Sequence, residues 1–402
     1  MKITNAKVIV TSPGRNFVTL KVFTDEGIYG LGDATLNGRE MAVVSYLEEH
    51  CIPALIGKDP MRTEEIWHYF YNGAYWKRGP VTMTAIAAID VALWDIKAKA
   101  LGTPLYNLLG GKSREKVLVY THAFGKSIEE TIEDVARKKE EGLLAIRVQS
   151  GIPGIGAVYG VPKSGGRYEP AEKGLPKEYT WDSTKYLNFL PTLFEKLRLE
   201  FGNDIQFLHD VHHRLTPIEA ARLAKELEPY HLFWLEDPIP GELQEGFRII
   251  RQHSRIPIAT GEVFNSIYDY TTLFTEQLID YIRMPITHGG GITHLLKVAA
   301  FASVYHIQTG FHGPTDLSPV SIAVSIHLDL AINNFGIQEY MPHEEIVFDV
   351  FKVNYHYKNG YFYIGDEPGI GVDIDEEKAK KYPYKMASLP INRRFDGTIT
   401  YW

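Results

Sequence analysis

The sequence has almost no cysteine, no long apolar run and no excess of positive charge. Cys51 is the only cysteine, which excludes an internal disulfide and a thiolate metal cluster; its small apolar side chain reads as a core residue. No window approaches the roughly 20 apolar residues of a membrane span. The start, Met1-Lys2-Ile3-Thr4, lacks the apolar stretch and cleavage site of a signal peptide, so the expectation is a cytoplasmic protein. A formal net charge of −8 gives no attraction to nucleic acid or to an anionic membrane, and neither is expected as a partner. Heptads, tandem repeats and low-complexity segments are also missing.

What is present is a chain of 402 residues, long enough for a barrel of roughly 250 residues and an accessory domain. Strand-like alternation covers Lys2 to Thr11, Val18 to Thr24 and Ile28 to Asp33, with a turn at Asp25-Glu26-Gly27, which predicts an antiparallel meander. Helical periodicity follows from Val81 to Leu101, where Ile86, Ile89, Leu93 and Ile96 share a face and Gly102 supplies the stop. Residues 1 to 113 therefore read as an α+β unit.

After Gly110-Gly111 the pattern becomes short apolar runs separated by helical segments, as in parallel βα units. Eight runs can be counted: Val117 to Thr121, Leu144 to Gln149, Ile205 to Asp210, Leu232 to Glu236, Ile258 to Glu262, Tyr281 to Arg283, Gln308 to His312, and Gly336 to Glu339. Between them, Thr216 is placed to cap a helix that Pro217 begins and Ala220, Leu223, Ala224 and Leu227 bury. The prediction is an α/β chain whose residues 114 to 402 form a (β/α)-type barrel. Ser150 to Thr180 breaks the rhythm, being rich in Gly and Pro; it is expected to be a long irregular loop over the catalytic face.

Asp210, Glu236 and Glu262 close three consecutive runs, each 26 positions after the last. Acids at the C-terminal ends of neighbouring barrel strands converge, and three like charges together require a cation. Oxygen ligands favour Mg²⁺, one per subunit. Gly289-Gly290-Gly291 after the sixth run is read as a tight turn in preference to a phosphate cradle.

The segments Ala88-Ile89-Asp90-Val91-Ala92-Leu93-Trp94-Asp95, Pro104 to Gly111, Trp234-Leu235-Glu236-Asp237-Pro238 and Thr260-Gly261-Glu262 resemble the mandelate racemase branch of the enolase superfamily over the whole chain. The resemblance implies a (β/α)7β TIM-like barrel with an N-terminal α+β capping domain. It also implies a Mg²⁺ ion that binds a substrate carboxylate and stabilises an enediolate. The Lys-x-Lys base of many relatives is replaced by Arg147-Val148-Gln149, and a His-Asp dyad is replaced by His312 with Arg283. What remains resembles the mannonate dehydratase subgroup, in which Arg147, Tyr159 and His212 would be catalytic. A guanidinium beside a phenol favours the phenolate, so Tyr159 is the expected base. His212, two residues beyond Asp210 and thus on the same strand face, is the expected acid, with His213 on the opposite face. On residue type alone both stay open, since the chain has 24 tyrosines and 15 histidines.

The same resemblance implies that Asn37, His122, Arg283, His312, Asp316 and Glu339 surround a sugar acid, with the terminal Trp402 folded back over it; a frayed end is the alternative. Pro314 stands where efficient members carry Ala. It looks like the low-activity or gluconate-preferring members, because its ring fixes φ and removes an N–H between His312 and Asp316. The expected function is slow dehydration of a D-mannonate- or D-gluconate-class acid to a 2-keto-3-deoxy acid. A near-silent homologue with a binding or regulatory role and an acid-sugar epimerase are the alternatives. Self-association into a homo-oligomer is implied by the family only.

Overall fold

The computed structural model describes residues 1–156 and 176–401. Its first sheet is the expected meander: β1 (Ile3–Thr11), β2 (Phe17–Thr24) and β3 (Tyr29–Asp33) pair antiparallel in the order β1-β2-β3. The helix Pro80–Ala100 lies directly on β3 because both surfaces are small. A Cβ on Gly30 would sit 2.0 Å from the carbonyl oxygen of Ala92, and one on Gly32 would sit 1.8 Å from that of Ala88. Glycines two apart on a strand thus meet alanines four apart on a helix. Cys51 is buried in the core beneath this layer.

Eight parallel strands form the second body. They are β4 (Val117–Gly125), β5 (Ala145–Ser150), β7 (Gln206–Asp210), β8 (Trp234–Glu236), β9 (Ile258–Thr260), β10 (Tyr281–Ile282), β11 (Gln308–Thr309) and β12 (Gln338–Glu339), with β6 (Glu178–Thr180) outside the ring. Neighbours pair in that order, β12 returns to β4, and a bridge between Thr309 and Phe335 closes the gap beside β11. The barrel is complete, as the eight apolar runs predict. The Thr216 cap is a full capping box with Glu219.

Two features depart from the sequence pattern. The irregular stretch after the second barrel strand ends in β6, which pairs parallel with Ile391–Arg393, and that strand pairs with Ile399–Thr400. A three-residue strand recruited by a partner more than 200 positions away leaves no local periodicity. Within that hairpin the Tyr401 carbonyl accepts from the Asn392 side-chain amide at 3.0 Å. Residues 376–385 also leave the barrel for the first sheet: Lys21 pairs with Glu376 at 2.9 Å, and the Ser12 amide donates to the Tyr382 carbonyl at 2.8 Å. Among the described residues no helix is long and apolar enough to cross a membrane.

Candidate active site

The barrel interior is layered by the two-residue period of its strands. One apolar layer holds Tyr120, Ala145, Leu208, Trp234, Ala259 and Ile337, with Tyr281 packed against it. Two residues further along the same strands stand His122, Arg147, Asp210, Glu236, Glu339 and Arg283. Side chains two apart share a face, so every residue of the apolar layer except Ala259, which is followed by Gly261, carries an ionisable one above it, toward the C-terminal mouth.

These groups form one buried network. Arg147 donates to Asp210 at 3.0 Å and approaches Glu236 at 3.6 Å and Glu339 at 3.8 Å. Arg283 donates to Glu236 at 2.9 Å and to Glu339 at 2.7 Å. His122 bonds Glu339 at 2.7 Å and meets Arg147 at 3.1 Å. The Trp234 indole N–H donates to Glu236 at 2.9 Å, and the Gln149 amide donates to the Asp210 carbonyl at 2.8 Å. Gln149 therefore anchors a candidate ligand where many relatives would carry a base.

The turns above β7, β8 and β9 correct the strand-alternation argument for the histidines. Pairing in β7 stops at Asp210, whose Oδ1 accepts the His212 amide at 2.7 Å. His212 and His213 then take left-handed conformations, with φ of 57° and 63°. Both consequently point inward. His212 Nε2 lies 3.4 Å from Glu262, and His213 Nε2 lies 3.6 Å from Asp237. Glu262 likewise stands beyond its strand, after Gly261 at φ 125°. Only glycine fits there, because a Cβ would meet the Tyr270 hydroxyl at 1.9 Å. His312 Nε2 faces the other oxygen of Glu262 at 3.4 Å and Glu339 at 4.0 Å.

Ligand atoms of Asp210, Glu236 and Asp237 lie within 4.8 Å of one another, as do those of His213, Asp237 and Glu262. The three predicted ligands thus fall into two adjoining groups that share Asp237. The donor set fits a hard cation: Asp210 and Glu236 are fully buried carboxylates, and Glu262 Oε2 is buried with no hydrogen-bond partner among the described residues. Burial pushes Glu236 well above the usual carboxylate range despite Arg283 and Arg147. Burial opposes the Glu262 charge too, but His312, His212 and His213 outweigh it and hold that carboxyl well below its usual range.

Asn37 sits half-buried in the turn after β3, whose Thr35 carbonyl faces His288 of the barrel at 3.2 Å. Asp316 lies half-buried in the turn after β11. Neither makes a hydrogen bond or ion pair with the network among the described residues. Pro314, between His312 and Asp316 in the chain, is buried; its carbonyl accepts the Leu317 amide at 3.2 Å. Tyr159 and Trp402 lie outside the described residues. The glycine run is a packing surface, as the tight-turn reading has it: a Cβ on Gly291 would meet Asp90 Oδ2 at 2.6 Å, and the Trp67 indole donates to the Gly290 carbonyl at 2.7 Å. Sequence reasoning puts His213 on the wrong face, names Gln149 only as the residue that replaces a base, and marks Asp237 only by its adjacency to Glu236 in the Trp234 to Pro238 segment.

The chain matches known families and proteins. Residues 6–110 match the N-terminal domain of mandelate racemase / muconate lactonizing enzyme, and residues 191–378 match the enolase C-terminal domain-like family. A D-galactonate dehydratase family member RspA from Halomonas elongata is 64% identical, with 100% of each chain covered. A D-mannonate dehydratase from Rhizorhabdus wittichii is 59% identical, again over 100% of each. The crystal structure of an enolase from Pantoea ananatis, with bound D-gluconate and Mg, superposes with a TM-score of 0.92 at 40% identity, covering 100% of this chain and 99% of that one.

Proposed function

The chain belongs to the mandelate racemase/muconate lactonizing enzyme family of the enolase superfamily, and from that membership we propose that it is a Mg²⁺-dependent sugar-acid dehydratase of the D-mannonate or D-gluconate class. The observation that carries the reading is the ionisable layer at the barrel mouth, where Asp210, Glu236 and Glu262 adjoin His212 and no lysine or aspartate supplies another base system at 149 or 283. Relatives named D-mannonate dehydratase and a neighbour holding D-gluconate support the substrate class.

Asp210, Glu236 and Glu262 would hold the ion, which supplies positive charge for the substrate carboxylate as the adjacent C–H is deprotonated. Tyr159 takes the C2 proton; this role rests on the sequence match alone. His212, held near Glu262 by its left-handed turn, gives a proton to the C3 hydroxyl, which leaves as water. The enol formed between C2 and C3 then tautomerises to the 2-keto-3-deoxy acid. Arg283, His122 and Glu339 form a rigid, mutually bonded set against which the hydroxyls are ordered, with His312, Asn37, Asp316 and Trp402 completing the surround. Pro314, which lacks an amide hydrogen between His312 and Asp316, makes turnover slow in this reading. The division after residue 113 and assembly as a homo-oligomer belong to the same proposal.

The test is a panel of hexonic acids incubated with the protein and Mg²⁺, read by 2-keto acid formation. Turnover of D-mannonate or D-gluconate is expected, abolished by Tyr159→Phe with Mg²⁺ binding intact, and raised on D-mannonate by Pro314→Ala. A fully active Phe variant removes the base assignment. Silence across the panel despite tight sugar-acid binding turns the reading toward a binding role.

A further inference from the structure

One residue that the proposed reaction does not use bonds to all three turns that carry the candidate ligands. Asp237 follows Glu236, is 0% exposed and has φ 39°. Its amide donates to the Ala259 carbonyl at 2.9 Å on β9, and its own carbonyl accepts the His213 amide at 2.7 Å in the turn after β7. Its Oδ1 accepts the Thr260 hydroxyl at 2.5 Å and the Gly261 amide at 3.3 Å, immediately before Glu262. Oδ2 has no hydrogen-bond partner among the described residues and faces His213 Nε2 at 3.6 Å.

The chain around these bonds is in conformations that non-glycine residues resist. His212, His213 and Asp237 all have positive φ, and such residues persist only where the surroundings over-determine them. Asp237 supplies that determination. Its backbone ties the turn after β7 to β9, and its side chain clamps the Thr260-Gly261 segment that aims Glu262. A register error of one residue in any of these turns would carry a ligand oxygen away from the others.

We propose that Asp237 is a positioning residue that locks the three ligand turns together, so that Asp210, Glu236 and Glu262 can address one divalent cation. This rests on the metal-site reading above. It assigns Asp237 the hydrogen bonds of Oδ1, not a bond to the metal. Asparagine can keep those bonds, since its amide oxygen accepts from Thr260 and Gly261 while its NH₂ faces the His213 nitrogen. Alanine cannot.

The experiment is calorimetric titration of the metal-free full chain with MgCl₂, with thermal melts of each variant alongside. Asp237→Ala should weaken Mg²⁺ binding by about 10- to 100-fold, the range for lost support of a metal ligand, while Asp237→Asn should return to within about threefold of the wild type. Thr260→Val removes only one donor to Oδ1 and should weaken binding several-fold, which keeps the idea testable if the alanine variant does not fold. Wild-type affinity in Asp237→Ala or Thr260→Val overturns the proposal. An Asp237→Asn variant as weak as the alanine variant also overturns it, in favour of direct ligation. A wild type that binds no Mg²⁺ removes the metal-site reading itself, and is seen before any variant is made.

Discussion

Two buried aspartates in this molecule accept the same bond, a threonine hydroxyl at 2.5 Å, in very different settings. At the seam between the first domain and the barrel, Asp90 on the helix Pro80–Ala100 takes the Thr293 hydroxyl and also the Thr293 amide at 2.9 Å. It thereby caps the barrel helix Ile292–Val304, whose own N-cap is Gly291 with no side chain to offer. The nearby Asp95 is satisfied in the same manner by the Leu31 and Ile370 amides and by Lys99. At the mouth, Asp237 takes the Thr260 hydroxyl, while its Oδ2 has no hydrogen bond among the described residues and stands beside residues in left-handed conformations and among other carboxylates. At the seam, both oxygens of Asp90 and of Asp95 find an N–H or O–H. Where carboxylates are gathered for a ligand, satisfaction is incomplete and strain is tolerated.

The sharpest way to break that contrast is to neutralise a carboxylate at the mouth. Glu236→Gln keeps the side chain's shape and one acceptor oxygen, enough for either the Trp234 indole or the Arg283 guanidinium, which donate to different oxygens of Glu236. Because burial already pushes the Glu236 carboxyl well above its usual range, a neutral side chain suits the metal-free protein. Turnover should fall by about 1,000-fold or more, as expected when a cation that stabilises several kcal/mol of developing charge is lost. The melting temperature of the metal-free protein should not fall. A variant that melts well below the wild type would place Glu236 with the cohesive acids.

The two regions also differ in how far the sequence reveals them. Barrel strands were legible because apolar runs end in polar residues at regular intervals, and the 26-residue spacing of Asp210, Glu236 and Glu262 marked one acid per βα unit. The Thr216 capping box was legible because its two halves are three residues apart. Arg147 and Arg283 were picked out by the family pattern, yet nothing local shows that they neutralise Asp210, Glu236 and Glu339. Strand alternation does not show the left-handed turns at His212 and His213, because pairing ends at Asp210, which bonds the following backbone. The Asp90–Thr293 cap links positions 203 apart, so Asp90 was visible only as part of a family segment. Contacts that close over long sequence separations leave no period to read, and the seam consists almost wholly of them.

A second, smaller effect tests the seam directly through pH. Burial pushes the Asp90 carboxyl up to about 7, against the hydrogen bonds from Thr293. In the unfolded chain it titrates near ~3.9. Between those values the folded state binds more protons, so Asp90's contribution is most favourable below pH ~4 and is lost as pH rises through about 7. Asp90→Asn stays neutral and keeps an oxygen for the Thr293 amide. Its melting temperature should match the wild type near pH ~4, pull ahead as pH rises, and exceed it by several degrees at pH ~8, with turnover little changed. A difference that does not vary with pH would mean that the seam does not oppose the charge.

The smallest expected effect is also the closest control, because the Thr260→Val change at the mouth has a counterpart at the seam. Thr293→Val conserves shape while removing the hydroxyl that donates to Asp90 and accepts from the Trp94 indole at 2.9 Å. Each lost bond is worth about 0.5–1.5 kcal/mol net, so the variant should melt about 2 to 4 °C lower, and Mg²⁺ affinity should be that of the wild type. Thr260→Val should show the reverse, with weakened Mg²⁺ binding and a nearly unchanged melt of the metal-free protein. The same atom is deleted from the same Thr–Asp bond, so a difference in readout must come from what the aspartate holds: a helix terminus against a neighbouring domain in one case, the aim of Glu262 in the other. If both valine variants lose stability alike and bind Mg²⁺ alike, the mouth and the seam are one kind of structure, and the under-satisfied Asp237 is simply a weaker version of Asp90.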